Sequence, residues 1–403
     1  MLDGGLTRDG FLKISAVLGA RAFAPIHAGP TDPITTDHPN RVARALVLSG
    51  GGARGAYEGG VIDYLAQAGA IQDGQPLAPY DFVCGTSIGA LNGYMVATAQ
   101  YNTLRNLWYT IASEQAVRLK PQYAKIRDRD AGVGTRISQA VGLAFGLTSD
   151  VTGVIDGAHL RQFLAQHIDP GHAVVMPFAW TVTNLTRQGP EYFYVTPQEV
   201  SAELRERART AIRETVGPNA VLRPATPDLL IDSLQASAAI PIAFDPVILP
   251  AADGSGPQQY CDGGVTENTP IGIARAAARN VDVIMMDPPY HPTPEQYRNA
   301  VEVGLGSFGT LQRVLLEANV RSAYFESLCK RAFMQLPHDA NLGQLALKLY
   351  ASDFYLIRPQ SVLPVAVGGF DDANGIFNAY KLGFEDAKNG FIKYDFKQAE
   401  LQG

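Results

Sequence analysis

Ser87 stands between two glycines in Gly85-Thr86-Ser87-Ile88-Gly89, a GxSxG motif. In such a motif the serine occupies a sharp strand-to-helix turn that exposes its hydroxyl, and the glycines keep side chains out of the way. A hydroxyl so presented can attack an ester carbonyl if a base takes its proton and N–H groups receive the charge developing on the carbonyl oxygen. A second run, Gly50-Gly51-Gly52-Ala53-Arg54-Gly55, supplies small residues before a helix. Successive backbone N–H groups there can converge on a negative oxygen. Gly50, Gly52 and Gly55 also satisfy the GxGxxG of a dinucleotide loop, but that loop calls for an acidic residue closing the next strand. Here the next strand ends in Cys84 and the GxSxG turn. The plainest reading of Ser87 alone is a helix cap.

A nucleophilic serine needs a base, most often histidine. None of His27, His38, His159, His167, His172, His291 and His338 lies in a distinctive motif. A Ser-His-Asp hydrolase would draw on His291 or His338. Asp262-Gly263-Gly264 offers a carboxylate instead. DGG by itself carries little weight, because Asp3-Gly4-Gly5 repeats it near the amino terminus. Its surroundings carry more: Ala236-Ser237-Ala238-Ala239-Ile240-Pro241 lies upstream, and Val265-Thr266-Glu267-Asn268-Thr269-Pro270 follows. A carboxylate with a pKa near 4 is a weak base for a hydroxyl, so Asp262 would have to be desolvated and held within about 3 Å of Ser87.

The elements that must position these groups are legible in outline. Residues 44–49 form a short apolar run stopping at the glycines, the pattern of a buried strand. Residues 53–68 have Tyr57, Val61, Leu65 and Ala68 at helical spacing, with Gly69 as the stop. Residues 80–84 and 88–100 repeat the strand-turn-helix unit. Further strands are expected at 180–184, 281–286 and 354–357, and a helix from the Thr269-Pro270 pair, read as N-cap and first residue. The alternation predicts an α/β layered fold with a largely parallel central sheet flanked by helices. Segments 115–150 and 196–230 lack strand signals and are read as helical insertions over the sheet.

GGGARG, GTSIG, the ASxAxPxxF-like segment and DGGVxxNxP, in that order from Gly50 to Pro270, resemble the patatin-like phospholipase family, lipid acyl hydrolases related to the cytosolic phospholipase A2 catalytic domain. The resemblance implies a dyad of Ser87 as nucleophile and Asp262 as base, with no histidine, metal or other cofactor. It also implies an oxyanion hole at the glycine loop, formed by the backbone N–H groups of Gly51, Gly52 and Ala53, and Arg54 matches the family's basic residue there. Gly50, Gly55, Gly85, Gly89, Gly263 and Gly264 support the motifs. The substrate class implied is a lipid ester, of phospholipase A or lysophospholipase type. Two roles are open for Arg54: binding a phospholipid phosphate, or pairing with a carboxylate to stiffen the loop. A lipid-binding protein with an idle site is the non-enzymatic alternative.

Composition bounds the rest. The chain has 403 residues, 18% charged and 46% apolar, which is globular and excludes a disordered or coiled-coil chain. A net charge of −6 gives no footprint for nucleic acid. Cys84, Cys261 and Cys329 show no CxxC spacing, so neither a disulfide framework nor a zinc site is expected. Residues 1–40 are read as a leader or arm with a Pro-rich linker, 41–395 as the catalytic domain and 396–403 as a tail. Thr7-Arg8-Asp9-Gly10-Phe11-Leu12-Lys13 is similar to a twin-arginine export signal with Asp9 in place of the second arginine. A cytoplasmic or peripheral membrane location is expected, with export to the periplasm as the alternative. The basic stretch 118–130 is a solvated face or a contact with an anionic lipid surface. Residues 137–147 are core, lid or acyl pocket. The sequence points to no protein partner.

Overall fold

The computed structural model describes residues 41–123, 139–141, 152–198, 220–289, 300–333 and 351–394. Most of stretches 118–130 and 137–147, the leader and tail, and His27, His38, His291 and His338 lie outside the described residues.

In chain order, β1 (Val42–Leu48) leads through a 3-10 turn (Gly52–Arg54) into α1 (Gly55–Ala68), then β2 (Phe82–Thr86), α2 (Ile88–Ala97) and α3 (Tyr101–Glu114). Next come α4 (Gly157–His167), β3 (Phe178–Asn184), β4 (Gly189–Val195), β5 (Val221–Pro224) and α5 (Pro227–Ser237). The chain continues with β6 (Val247–Pro250), β7 (Pro257–Asp262), the one-turn α6 (Gly264–Glu267), α7 (Ile271–Ala277) and β8 (Ala278–Ile284). The last elements are α8 (Ala300–Phe333), β9 (Asp353–Ile357), α9 (Ala373–Ala387) and β10 (Ile392–Lys393).

Among the described residues the strands form one sheet in the order β10-β9-β8-β1-β2-β3-β4-β5, with β7 also on β3 and β6 on β7. β9, β8, β1, β2 and β3 are parallel neighbours. Alternation along β1 divides the core: Leu46 and Leu48 join the apolar cluster under α1, α2, α3 and α9, while Ala45 and Val47 join the cluster under α7 and α8. A central strand buried on both faces reads as continuous apolar sequence, which is why residues 44–49 are legible.

The expected α/β architecture is present, with four differences. The sheet is mixed: β4 and β7 run antiparallel to β3, and β10 to β9. Segment 196–230 is not only an insertion over the sheet, since it contains β5, which pairs with β4 at the sheet edge, and the start of α5. β4 and β7 carry Glu191, Gln258 and Gln259 among their apolar residues, which hides their alternation, and β6 is a run of only four residues ending in a proline. The helix expected to begin with Thr269 as its N-cap starts instead at Ile271 with Pro270 capping, because the Thr269 hydroxyl is engaged by Ser49 Oγ at 2.9 Å.

Candidate active site

One strand edge brings the two motif residues together. β3 pairs with β2 only as far as Thr181, which faces Thr86. On the same edge its next residue, Val182, faces Asp262, the last residue of antiparallel β7. β2 and β7 therefore run toward each other along a single template and stop head to head. Ser87 follows one end, and Asp262 is the other.

Ser87 itself has φ 56° and ψ −124°, a backbone that L-residues adopt only under constraint. The constraint is visible. Its N–H donates to Ser237 Oγ at 2.9 Å, and Ser237 Oγ in turn donates to the Thr181 carbonyl at 2.7 Å. The turn also depends on close backbone approach: a Cβ on Gly85 would strike the Gly89 carbonyl, and one on Gly89 would lie 2.5 Å from the Leu48 carbonyl oxygen.

Ser87 Oγ donates to Asp262 Oδ2 at 2.7 Å. The other carboxylate oxygen, Oδ1, accepts the Gly264 N–H at 2.6 Å, so the carboxylate is held from both sides. Asp262 is 1% exposed and Ser87 5%. Burial pushes the Asp262 carboxyl up to about 7, against the opposing pull of its hydrogen bonds from Ser87 and Gly264. A carboxylate so placed is a far better proton acceptor near neutral pH than one in water.

The glycine loop lies against this pair. A Cβ on Gly50 would stand 3.2 Å from Ser87 Cβ. Asn268 clamps the loop from the Asp262 side: its carbonyl accepts the Gly50 N–H at 2.9 Å, and its Nδ2 donates to the Gly50 carbonyl at 3.1 Å. Gly52 has φ +58°, and its Cα faces the Val367 carbonyl so closely that a side chain has no room. The N–H groups of Gly51 and Gly52 meet no acceptor among the described residues. Ala53, expected beside them as a donor, has its N–H committed to Val367 O at 2.9 Å, so the loop as it stands offers two donors.

Behind the loop, Asn92 Nδ2 bonds to the Gly55 carbonyl (3.1 Å) and to Glu58 Oε2 (3.0 Å), while Trp108 Nε1 donates to Asn92 Oδ1. These bonds tie α1, which leaves the glycine loop, to α2, which leaves Ser87. Glu58 is fully buried and its carboxyl is held well above the ordinary range by desolvation. Arg54 bonds to Asp287 Oδ1 at 2.9 Å, and Arg358 donates to the carbonyls of Asp287 and Pro288. Gly263 N–H donates to the Ser237 carbonyl at 3.3 Å, so Ser237 touches both arms of the site.

The sequence reading assigned no role to Ser237 or Asn268. Both stand inside quoted motifs, at ASxAxP and DGGVxxNxP, and their place in those motifs is the signal available from sequence. Of the described histidines, His159 bonds to the Gln115 carbonyl and His167 to Glu114, both on the α3 and α4 side of the molecule. Among the described residues no group of three or more His, Cys, Asp or Glu could hold a metal ion, and no helix is long and apolar enough to cross a membrane.

A family model described as Patatin, patatin-like phospholipase, matches residues 46–275. No curated protein matches the chain. Among solved structures, the crystal structure of VipD from Legionella pneumophila matches with a TM-score of 0.32 and 13% sequence identity, covering 89% of this chain and 69% of that one.

Proposed function

As the chain belongs to the patatin-like phospholipase family, a family of lipid hydrolases, we propose that it cleaves carboxylic esters of lipids with Ser87 as nucleophile and Asp262 as its base. The observation that carries this reading is the buried 2.7 Å hydrogen bond between the two, beside a glycine loop whose Gly51 and Gly52 N–H groups meet no acceptor among the described residues.

Ser87 Oγ attacks the ester carbonyl carbon while its proton passes to Asp262 Oδ2. The carbonyl oxygen, now negative, is received by the N–H groups of Gly51 and Gly52. Collapse of the tetrahedral intermediate breaks the ester C–O bond, and the departing alkoxide takes the proton from Asp262. Water then gives its proton to Asp262 and attacks the acyl-serine, and the fatty acid leaves as Ser87 recovers its proton. Asp262 accepts and returns one proton in each half-reaction, and a carboxyl poised near 7 can do both at neutral pH.

Arg54 acts in this scheme as a brace: its pairing with Asp287 anchors the chain leaving the glycine loop. The catalytic unit runs from about residue 41 to 395 and works as a peripheral enzyme on phospholipid or lysophospholipid at a lipid surface. The test is hydrolysis of a mixed lipid extract, followed by mass spectrometry, with wild type, Ser87→Ala and Asp262→Asn. Both variants should fold and release no fatty acid, and an organophosphonate ester should label wild type at Ser87. Full hydrolysis by either folded variant would discard the dyad.

A further inference from the structure

We propose that Gln312, on α8, binds the alcohol half of the ester and selects for oxygen-rich alcohols. This inference rests on the proposed serine chemistry and deepens it. In that chemistry the carbonyl oxygen must reach the glycine loop, whereas the leaving oxygen must reach the carboxyl that protonates it. The alcohol half therefore lies on the Asp262 side of Ser87, and the polar atoms around Asp262 are the ones it meets.

Three such atoms converge there. Gln312 Nε2, Asn268 Oδ1 and Asp262 Oδ1 all lie closer than 3.0 Å to the point where a Cβ on Gly264 would stand, so the missing side chain at Gly264 lets these groups converge beside Asp262. The first is the candidate for substrate. Asp262 Oδ1 already accepts the Gly264 N–H, and Asn268 is tied to the glycine loop through its Nδ2. The Gln312 carboxamide is half-buried and meets no hydrogen-bond partner among the described residues. As a donor it fits an acceptor oxygen, whether of a glycerol hydroxyl or of a phosphodiester.

Its setting on the helix agrees with a lipid substrate. Leu311 and Val314, on the same turn of α8, are 51% and 57% exposed, so this turn presents apolar surface to solvent. α8 packs against α6, the turn that begins with Gly264, which holds Gln312 beside Gly264. It lies beyond residue 275, where the match to the family model ends, so this contact comes from a part of the chain outside the matched motifs.

Three substrates with one acyl chain separate the outcomes: p-nitrophenyl octanoate, 1-octanoylglycerol and octanoyl-lysophosphatidylcholine, each assayed with full-length wild type, Gln312→Ala, Gln312→Met and Ser87→Ala. Removing one substrate hydrogen bond should lower kcat/KM roughly fivefold. The loss is expected in both Gln312 variants on the glycerol-containing esters, with the p-nitrophenyl ester unchanged. A loss confined to the lysophospholipid would assign the donor to the phosphodiester, and a loss on both to the glycerol oxygens. An equal loss on all three esters, or none on any, overturns the inference. Ser87→Ala should be inactive on every ester; turnover by it would overturn the underlying serine chemistry, whatever the Gln312 variants do.

Discussion

Lowering the pH from 8 to 5 should nearly extinguish ester hydrolysis, and the size of the loss follows from where Asp262 sits. Its carboxyl is held at about 7 by burial, and only its ionised form can take the Ser87 proton. With that value about 90% of the molecules carry the carboxylate at pH 8 and about 1% at pH 5, a fall of roughly ninetyfold. An aspartate of ordinary acidity would be more than about 90% ionised throughout, and the rate would hardly change. The assay is kcat/KM for a soluble ester between pH 5 and 8. A histidine base would give a similar limb, so stability supplies the second arm. Between about pH 4 and 7 folded Asp262 keeps a proton that the unfolded chain has lost, so its contribution to stability is greatest below pH 4 and declines as pH rises through 7. The decline amounts to about three pH units, on the order of 4 kcal/mol. Buried Glu58 and Asp282 and half-buried Glu267 also have raised carboxyls, and they slope the same way in both proteins. Denaturant unfolding of wild type and Asp262→Asn, compared at pH 4.5 and 7.5, isolates the Asp262 part: the variant should gain on wild type as pH rises. A flat rate profile, or equal pH slopes of stability in the two proteins, would refute the reasoning.

Other expectations follow from single contacts. Gly52→Ala places a methyl group against the Val367 carbonyl at a positive φ, displacing one of two N–H donors, and should reduce kcat about a hundredfold with circular dichroism unchanged; activity within threefold of wild type would count against the loop as oxyanion hole. Ser237→Ala leaves the Ser87 N–H without its acceptor and should lower kcat about tenfold at constant KM, since the nucleophile loosens while substrate contacts remain. Arg54→Ala and Asp287→Asn break a pair that is 20% and 28% exposed, so each should lower stability by no more than about 1 kcal/mol. Their activity losses should be equal on a phospholipid and a neutral ester; a loss confined to the phospholipid would make Arg54 a phosphate ligand.

Where the chemistry is local, the sequence is enough to locate it. GxSxG between an apolar run and a helix fixes Ser87 on an elbow, and the glycines before α1 mark a loop that exposes N–H groups, because both follow from the conformations that four or five consecutive residues can adopt. The order of the four motifs identifies the family, and the doubly buried β1 and β2 announce themselves as unbroken apolar runs. What no stretch of sequence contains is the meeting of Ser87 and Asp262, 175 positions apart. It arises because β2 and β7 share one edge of β3 from opposite directions, and strand register is set by pairing between distant segments. The same holds for the Ser237 bridge, for Ala53 turning its N–H to Val367, and for Gln312 reaching Gly264 from α8. The basicity of Asp262 was likewise decided by tertiary structure: desolvation belongs to the packed surroundings of a group, and an aspartate before two glycines has the ordinary acidity of its type until the fold removes water from it.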